Sequence, residues 1–540
     1  MLSSPTTPSP NTRQGVAAMV PRMTKRRVFI SVQLVLVFAL AVYLTFGSHG
    51  LAAVTKLPAG LNPWKSGSNA QDPEPTSPPS TATAAPAEPE IILTPEEKKA
   101  QEEKQAQDDR HRGKTAEEIE KEFDENEARK KLSASQKKLA TERVEAYIPA
   151  IMNADDTSVE RMWCPKFNET RYQHLKASKW NPGKKYFFAL NLRQCHYVLP
   201  RLLGSIVEVM RFVGPENCVL SIVEGRSDDG TAEILMALRP ELEALGATYY
   251  YLNSDINPSE ADRIERLAQL RNMALQPMIN SRRKNRPKPA DDAPATKETA
   301  PAAPARFMPR SEPPEQWGAN IEFANDAVVA FINDVAICAE DILELLHQRV
   351  IQEADMTCAM DWSHIQDVPT FYDEWVARQI NGDSFFDIPD DKSGSFARAR
   401  YLFPDDLVSR ERFEAGRAVH VFACWNGAVT FRAEPVMSEK VKFRDGREGE
   451  CRVGEPTYFC KDLWWHGYGK IAIVPTVNLE YNDTYGAAIK KRKGYVSDWV
   501  KREHREKLPL QITWQRPPEK VLCMPGWTEQ YWVPWNETLA

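Results

Sequence analysis

The chain has 540 residues, 40 of them proline, with 27% charged residues and a formal net charge of −6. That length leaves room for two or more ordinary domains, but the prolines and long polar tracts keep much of it out of any packed core, so one large catalytic domain with appendages is expected. The charge is modest and mixed in sign along the chain, which argues against nucleic acid as a partner, and the nine cysteines contain no Cys-x-x-Cys pair, which argues against a zinc cluster.

Residues 1–27 are expected to form a cytosolic tail, disordered over its Ser, Thr and Pro-rich start. Val28 to Phe46 is an uncharged, mainly apolar run long enough to cross a bilayer as a helix. Arg22, Lys25, Arg26 and Arg27 precede it and the next basic residue is Lys56, so the positive-inside rule keeps the N-terminus in the cytosol and puts the rest outside it. Its apolar core is too long, and its basic flank too far from the start, for a cleaved signal peptide. Asn-x-Ser/Thr sites at Asn168, Asn482 and Asn536 all fall on the non-cytosolic side, where each could carry a glycan. If that side is oxidising, some cysteines pair and the odd number leaves at least one free.

Residues 47–149 read as a stem: a Pro, Ala, Ser and Thr-rich tether, then from Pro95 a charged stretch suited to a solvated helix. The remainder, 150–540, reads as one domain of alternating strands and helices. Lys185 to Asn191 is a strand, Val198 to Phe212 a helix, Val219 to Glu224 a strand, Ala232 to Leu245 a helix after the turn Ser227 to Thr231, Ala247 to Leu252 a strand, and Glu260 to Met278 a helix. This alternation calls for a Rossmann-type, mostly parallel sheet with helices on both faces. Residues 281–317 hold eight prolines and almost no large apolar residues, so they form a disordered insertion rather than sheet.

The domain is organised around Phe323 to Leu346. Ala327 to Ile332 is a β-branched, apolar run fit for a strand buried on both faces, and it delivers Asn333 and Asp334 to its carboxyl end. The helix that follows carries Glu340 and Asp341 in its first turn, where the helix dipole favours negative charge. Met356 to Met360 is the next strand, ending at Asp361. Val419 to Phe422 and Ala428 to Phe431 flank Cys424 to Gly427 in a hairpin-like arrangement, and Lys470 to Val477 is the last strong strand.

Open α/β sheets bind ligands at the carboxyl ends of their strands, and an acidic turn there suits a divalent ion on a diphosphate leaving group. Asp334 is the candidate metal ligand, and Asn333 adds a carbonyl oxygen or binds a sugar hydroxyl. Glu224 faces the place of a base or ribose, Arg271 pairs with phosphate, and Asn191, closing the first strand, joins them as a nucleotide-sugar contact. Asp361 is placed to orient or deprotonate an acceptor hydroxyl. Each has a bland alternative: Asn333 and Asp334 as a turn, Glu224 as a turn cap, Arg271 as a solvated helix charge, Asp361 as a structural contact.

The words AEDILELLHQ, ADMTCAMDW, FYDEW with ARQINGD, CWNG and CKDLWWHGYGKI resemble glycosyltransferase family 69, the fungal capsule-associated α-1,3-mannosyltransferases, over about residues 150–485. The resemblance implies a GT-A-like domain on a single-pass type II Golgi membrane protein, its catalytic part luminal, that moves mannose from GDP-mannose to a mannose-containing glycan with retention, using manganese or magnesium. The usual Asp-x-Asp is here Asn333-Asp334-Val335, so the metal set would be completed elsewhere; His466 is a candidate, with an aromatic-cluster role as its alternative. The missing carboxylate also leaves open a carbohydrate-binding or scaffold protein with the same fold, and another nucleotide sugar remains a third option.

Overall fold

The computed structural model describes residues 138–176, 183–257, 262–284, 318, 320–365, 368–390 and 398–539. The expected tail, the apolar run at 28–46, the stem up to residue 137 and nearly all of the proline-rich insertion lie outside the described residues. Among the described residues no helix is long and apolar enough to cross a membrane.

The core is one ten-stranded sheet. Strands β1 (Lys184–Leu192), β2 (Cys218–Glu224), β3 (Thr248–Asn253) and β4 (Phe323–Ile332) lie in the order β3-β2-β1-β4, all parallel. Next come β9 (Ala428–Arg432), β5 (Met356–Ile365), β10 (Ile471–Leu479), β8 (Val419–Ala423) and β7 (Arg378–Gln379), with β6 (Val368–Phe371) folded back on the end of β5. β9 is antiparallel to both neighbours, whereas β5 and β10 are parallel to each other. The result is a mixed α/β fold whose sheet is mostly parallel, as the alternation of elements requires.

Successive side chains of β1 and β2 point to opposite faces and reach two separate cores. Phe187, Ala189, Val219 and Val223 pack with the helix Arg263–Lys284. Tyr186, Phe188, Leu190, Leu220 and Ile222 pack with the helices Leu199–Val213 and Ala339–Ile351. Both faces of this half are therefore covered, which is why its strands read as nearly unbroken apolar runs.

Three expectations need correction. The pair around Cys424 to Gly427 is not a hairpin: β8 joins β10 and β7, while β9 fills the gap between β4 and β5 and hydrogen-bonds on both edges, which a hairpin could not give it. Ala232 to Leu245 is two helices, Thr231–Ala237 and Arg239–Leu245, because Pro240 cannot continue the first. Packed structure also begins earlier than residue 150. Residues 138–152 are helical, Ala150 and Ile151 are buried, and Val144, Tyr147 and Ile148 rest on the second core.

Disulfides join Cys164 to Cys338, Cys358 to Cys424 and Cys451 to Cys523, while Cys195, Cys218 and Cys460 are free and buried.

Candidate active site

All the parallel strands deliver their carboxyl ends to one edge of the sheet. After Ile332 the chain turns at once. The Asn333 N–H donates to the Gly427 carbonyl (2.9 Å), the Val335 N–H to the Asn333 carbonyl (2.9 Å), and the Ala336 N–H to the Glu480 carbonyl at the end of β10 (2.8 Å). The Asn333 side chain is occupied too, because Trp425 Nε1 donates to its Oδ1 at 3.2 Å. Asp334 is left at the apex, half-buried. Burial raises its pKa; its own backbone N–H and the Arg271 charge act against the rise.

Arg271 lies behind this turn. Its Nε donates to Glu455 at 2.8 Å, its guanidinium sits 4.4 Å from the Trp425 ring centroid and 5.3 Å from that of Phe331, and its Nη1 is buried with no partner. It is therefore a clamped cation, not a solvated helix charge. With its amide oxygen toward the helix, Asn191 accepts from the Arg271 backbone N–H at 3.0 Å, which fixes β1 to that helix. Glu224 is fully buried and accepts from the N–H groups of Arg226 (3.1 Å) and Ser227 (2.7 Å), so its carboxylate shapes the following turn instead of lining an open crevice. That turn clasps the loop after β1: Ser227 Oγ accepts from the Gln194 N–H, Asp228 from Gln194 Nε2, and Thr231 Oγ1 from the Cys195 N–H.

Asp361 closes the shared length of β5 and β10, where it pairs with Leu479. Beyond it β5 pairs only with β6, and this hairpin returns Tyr372 and Asp373 to its side, with the Tyr372 N–H donating to the Asp361 carbonyl at 3.2 Å. Tyr481 donates its hydroxyl to Asp361 Oδ2 (2.8 Å), while Oδ1 is buried with no partner. Burial, then repulsion from Asp373, raises the Asp361 pKa well above the carboxylate range. Glu374 is pushed up to about 7 by burial and the Asp373 charge. Glu480 accepts from its neighbour's backbone N–H at 2.7 Å and contacts His364 Nδ1 at 2.9 Å, and the His364 ring stacks on Tyr485.

Asp334, Asn333, Arg271 and Asp361 thus gather at one sheet edge. His466 does not. It is exposed at the C-terminal end of the helix Glu455–Trp465, just before β10 begins, where the Lys470 N–H donates to Asp355 at the opposite end of β5. The nine residues of β10 separate these ends by roughly 27 Å, so His466 cannot complete the coordination of Asp334. Among the described residues no three His, Cys, Asp or Glu side chains form a metal-ion site. A half-buried carboxylate with no side-chain donor among the described residues still fits magnesium or manganese, which keep several waters and bind through one or two carboxylates plus substrate phosphates.

Reasoning from the residues alone gave Asp373 and Glu480 no role and read the Cys424 to Gly427 loop only as the turn of a hairpin. The signal lay in two words already singled out. FYDEW carries an acidic doublet between aromatics, and CWNG carries Asn-Gly, both at positive φ (52° and 80°), where Asn426 Nδ2 donates to the Ala359 carbonyl and its N–H to Asp373. Of the three Asn-x-Ser/Thr sequences, the Asn168 and Asn482 side chains cap helix starts by accepting from Thr170 and Tyr485, and Asn536 is half-buried in the C-terminal segment.

A family model described as Cryptococcal mannosyltransferase 1 matches residues 185–462, the stretch that holds every strand end of this site except that of β10. The chain belongs to that family. Within it, the alpha-1,3-mannosyltransferase CMT1 of Cryptococcus neoformans var. neoformans serotype D is 31% identical over 392 residues, covering 68% of this chain and 75% of its own length. Membership makes the chain a glycosyltransferase and bears out the resemblance seen in its motifs. Among solved structures, the crystal structure of S. aureus TarS 1-349 matches at 10% identity over 60% of this chain and 67% of its own, with a TM-score of 0.28. Its complex with UDP matches at 11% over 60% and 72%, with a TM-score of 0.29. Scores this low leave the fold to rest on the topology above.

Proposed function

We propose that this family member transfers mannose from GDP-mannose to a mannose-containing glycan, forming an α-1,3 linkage with retention, on a GT-A-type domain. The observation that carries the reading is Asp334, a carboxylate set at the apex of the turn after β4 without a side-chain donor, in a chain 31% identical to an alpha-1,3-mannosyltransferase. Asp334 would hold manganese or magnesium, which supplies charge neutralisation for the diphosphate as it leaves. Arg271 adds a fixed positive charge behind the same turn.

Transfer breaks the bond between the anomeric carbon and the phosphate oxygen and forms one to the acceptor oxygen on the same face, with the acceptor's proton passing to the departing phosphate. Asp361 serves as the orienting group. Tyr481 holds Oδ2, which leaves the buried, unpartnered Oδ1 as the atom that would pair with the acceptor hydroxyl. Tyr197, Tyr372 and Tyr485, between 40% and 54% exposed, offer ring faces for sugars around this edge. The protein is anchored by residues 28–46 as a single-pass type II Golgi protein, with the domain luminal; six cysteines in disulfides support an oxidising compartment.

The test is a donor screen on the full-length protein in detergent with labelled nucleotide sugars, with and without manganese. Transfer from GDP-mannose that disappears on chelation is expected. Transfer only from another nucleotide sugar would replace the donor, and none from any would favour a non-catalytic carbohydrate binder.

A further inference from the structure

On the far side of the strand that carries Asp361 lies a cavity of about 510 Å³ whose walls include Lys491, Arg492, Lys493, Asn478, Trp499 and Arg502. Asn478 Oδ1 accepts from Trp362 Nε1 at 2.9 Å, and Trp362 is the residue after Asp361, so the cavity backs directly onto the site above. The last turn of the helix Asp483–Lys493 supplies three of its cations. Cations there complement a helix dipole, which suffices for the exposed Lys491 and Arg492.

It does not suffice for Lys493. This ammonium is half-buried 3.6 Å from the Trp362 ring centroid, and among the described residues no carboxylate lies within ion-pair distance of it. Burial and the neighbouring Arg492 hold it down to about 8. The backbone is fixed to keep it there, with Trp499 Nε1 donating to the Lys493 carbonyl at 2.8 Å. The two acids in the wall, Glu414 and Asp498, do not answer it; Asp498 is engaged by the Tyr495 N–H and by Lys501. A half-buried cation without a counter-charge is costly, and four cations around a concavity focus a positive potential.

We propose that this cavity, on the face of β5 opposite Asp361, is a subsite for the oxyanion, carboxylate or phosphate, of an acidic saccharide. The proposal rests on the reading of the chain as a transferase to a glycan. Lys493 and Arg492 hold the anion, and the apolar faces of Trp362 and Trp499 exclude water from it.

The experiment is calorimetric titration of the full-length protein with three saccharide probes: a mannose disaccharide bearing one glucuronate, the same disaccharide without it, and mannose 6-phosphate. Inorganic phosphate is the fourth arm. An acidic saccharide should bind about tenfold more tightly than the neutral one, and Lys493→Gln should abolish that difference. Arg492→Gln, at an exposed position, repeats the test without touching the core and should narrow the gap at least threefold. Whichever acidic probe binds identifies the source of the anion. Equal binding of neutral and acidic probes, or a gap intact in both variants, overturns the proposal; inorganic phosphate binding as tightly as the saccharides overturns its saccharide part. Donor hydrolysis, followed in parallel, should be unchanged in both variants. Absence of transfer by the wild type from any nucleotide sugar would defeat the transferase reading while leaving the binding result to stand or fall separately.

Discussion

In the half of the sheet formed by β3, β2, β1 and β4, carboxylates near the strand ends are matched by donors: Glu224 by two backbone N–H groups, Asp228 by Gln194 and Asp229 by His196. In the half around β5, β6 and β10, acids are crowded and short of partners, with Asp361 Oδ1 and Glu374 Oε2 buried and unsatisfied. Underpaired buried acids are costly, and fields of that kind gather where charge moves during a reaction. Under the proposed function, the first half shapes loops and the second orients the acceptor, with Asp334 at the seam between them.

Removing the seam tests the assignment hardest. Asp334→Ala should lower transfer at least about a thousandfold while the melting temperature of the purified full-length protein stays within roughly 2 °C, because the side chain holds no other residue. Retained turnover would place the diphosphate elsewhere. Next in size is the Cys358–Cys424 bridge, which ties β5 to the loop that fixes Asn333 and Asp373. Replacing both cysteines with alanine should cost about 4 kcal/mol in denaturant titration, as expected for a loop of 66 residues, and reduce turnover with it.

Asp361→Asn should cut kcat about a hundredfold and leave binding of the donor unchanged. Its effect on stability has the opposite sign. The folded chain holds the Asp361 proton to higher pH than the unfolded chain does, so the wild type loses stability as pH rises through the raised value. Asparagine does not titrate and keeps the Tyr481 hydrogen bond, so the variant's melting temperature should exceed the wild type's above neutrality, with the gap shrinking as pH falls. A variant that is both dead and destabilised at every pH would mark Asp361 as structural.

The smallest effect belongs to the first half. Gly230 has φ +93° in the turn beneath the helix 138–152, and an added Cβ would meet Ala140 and Arg143 at ordinary contact distances, so only the backbone conformation opposes Gly230→Ala. About 1 kcal/mol of stability should be lost, with kcat on the same footing as before. A fall in kcat out of proportion would show that this loop also takes part in binding or transfer.

How much of this could be read from residues follows the same division. The parallel half was legible because each buried strand carries its own apolar run and each helix its own stripe, so Lys185 to Asn191, Val219 to Glu224 and Ala327 to Ile332 announce themselves locally. The antiparallel half was not. β8 and β9 lie four residues apart in sequence yet are separated by two strands in space, and no local pattern encodes which partner a strand takes. Asp334 was visible because one strand and one turn determine its place. Asp373 and Glu480 were not, since their roles depend on the β5–β6 hairpin and on β10 meeting the turn after β4. His466 failed for a related reason: an aromatic word says nothing about which end of the sheet it occupies.

The bridge between β5 and the Cys424 to Gly427 loop has a practical corollary. A chain made where thiols stay reduced would lack this tie and the other two, so material from a reducing cytosol should be less stable and less active than oxidised material. Under the proposed reading, oxidation of these thiols is then a step that precedes turnover.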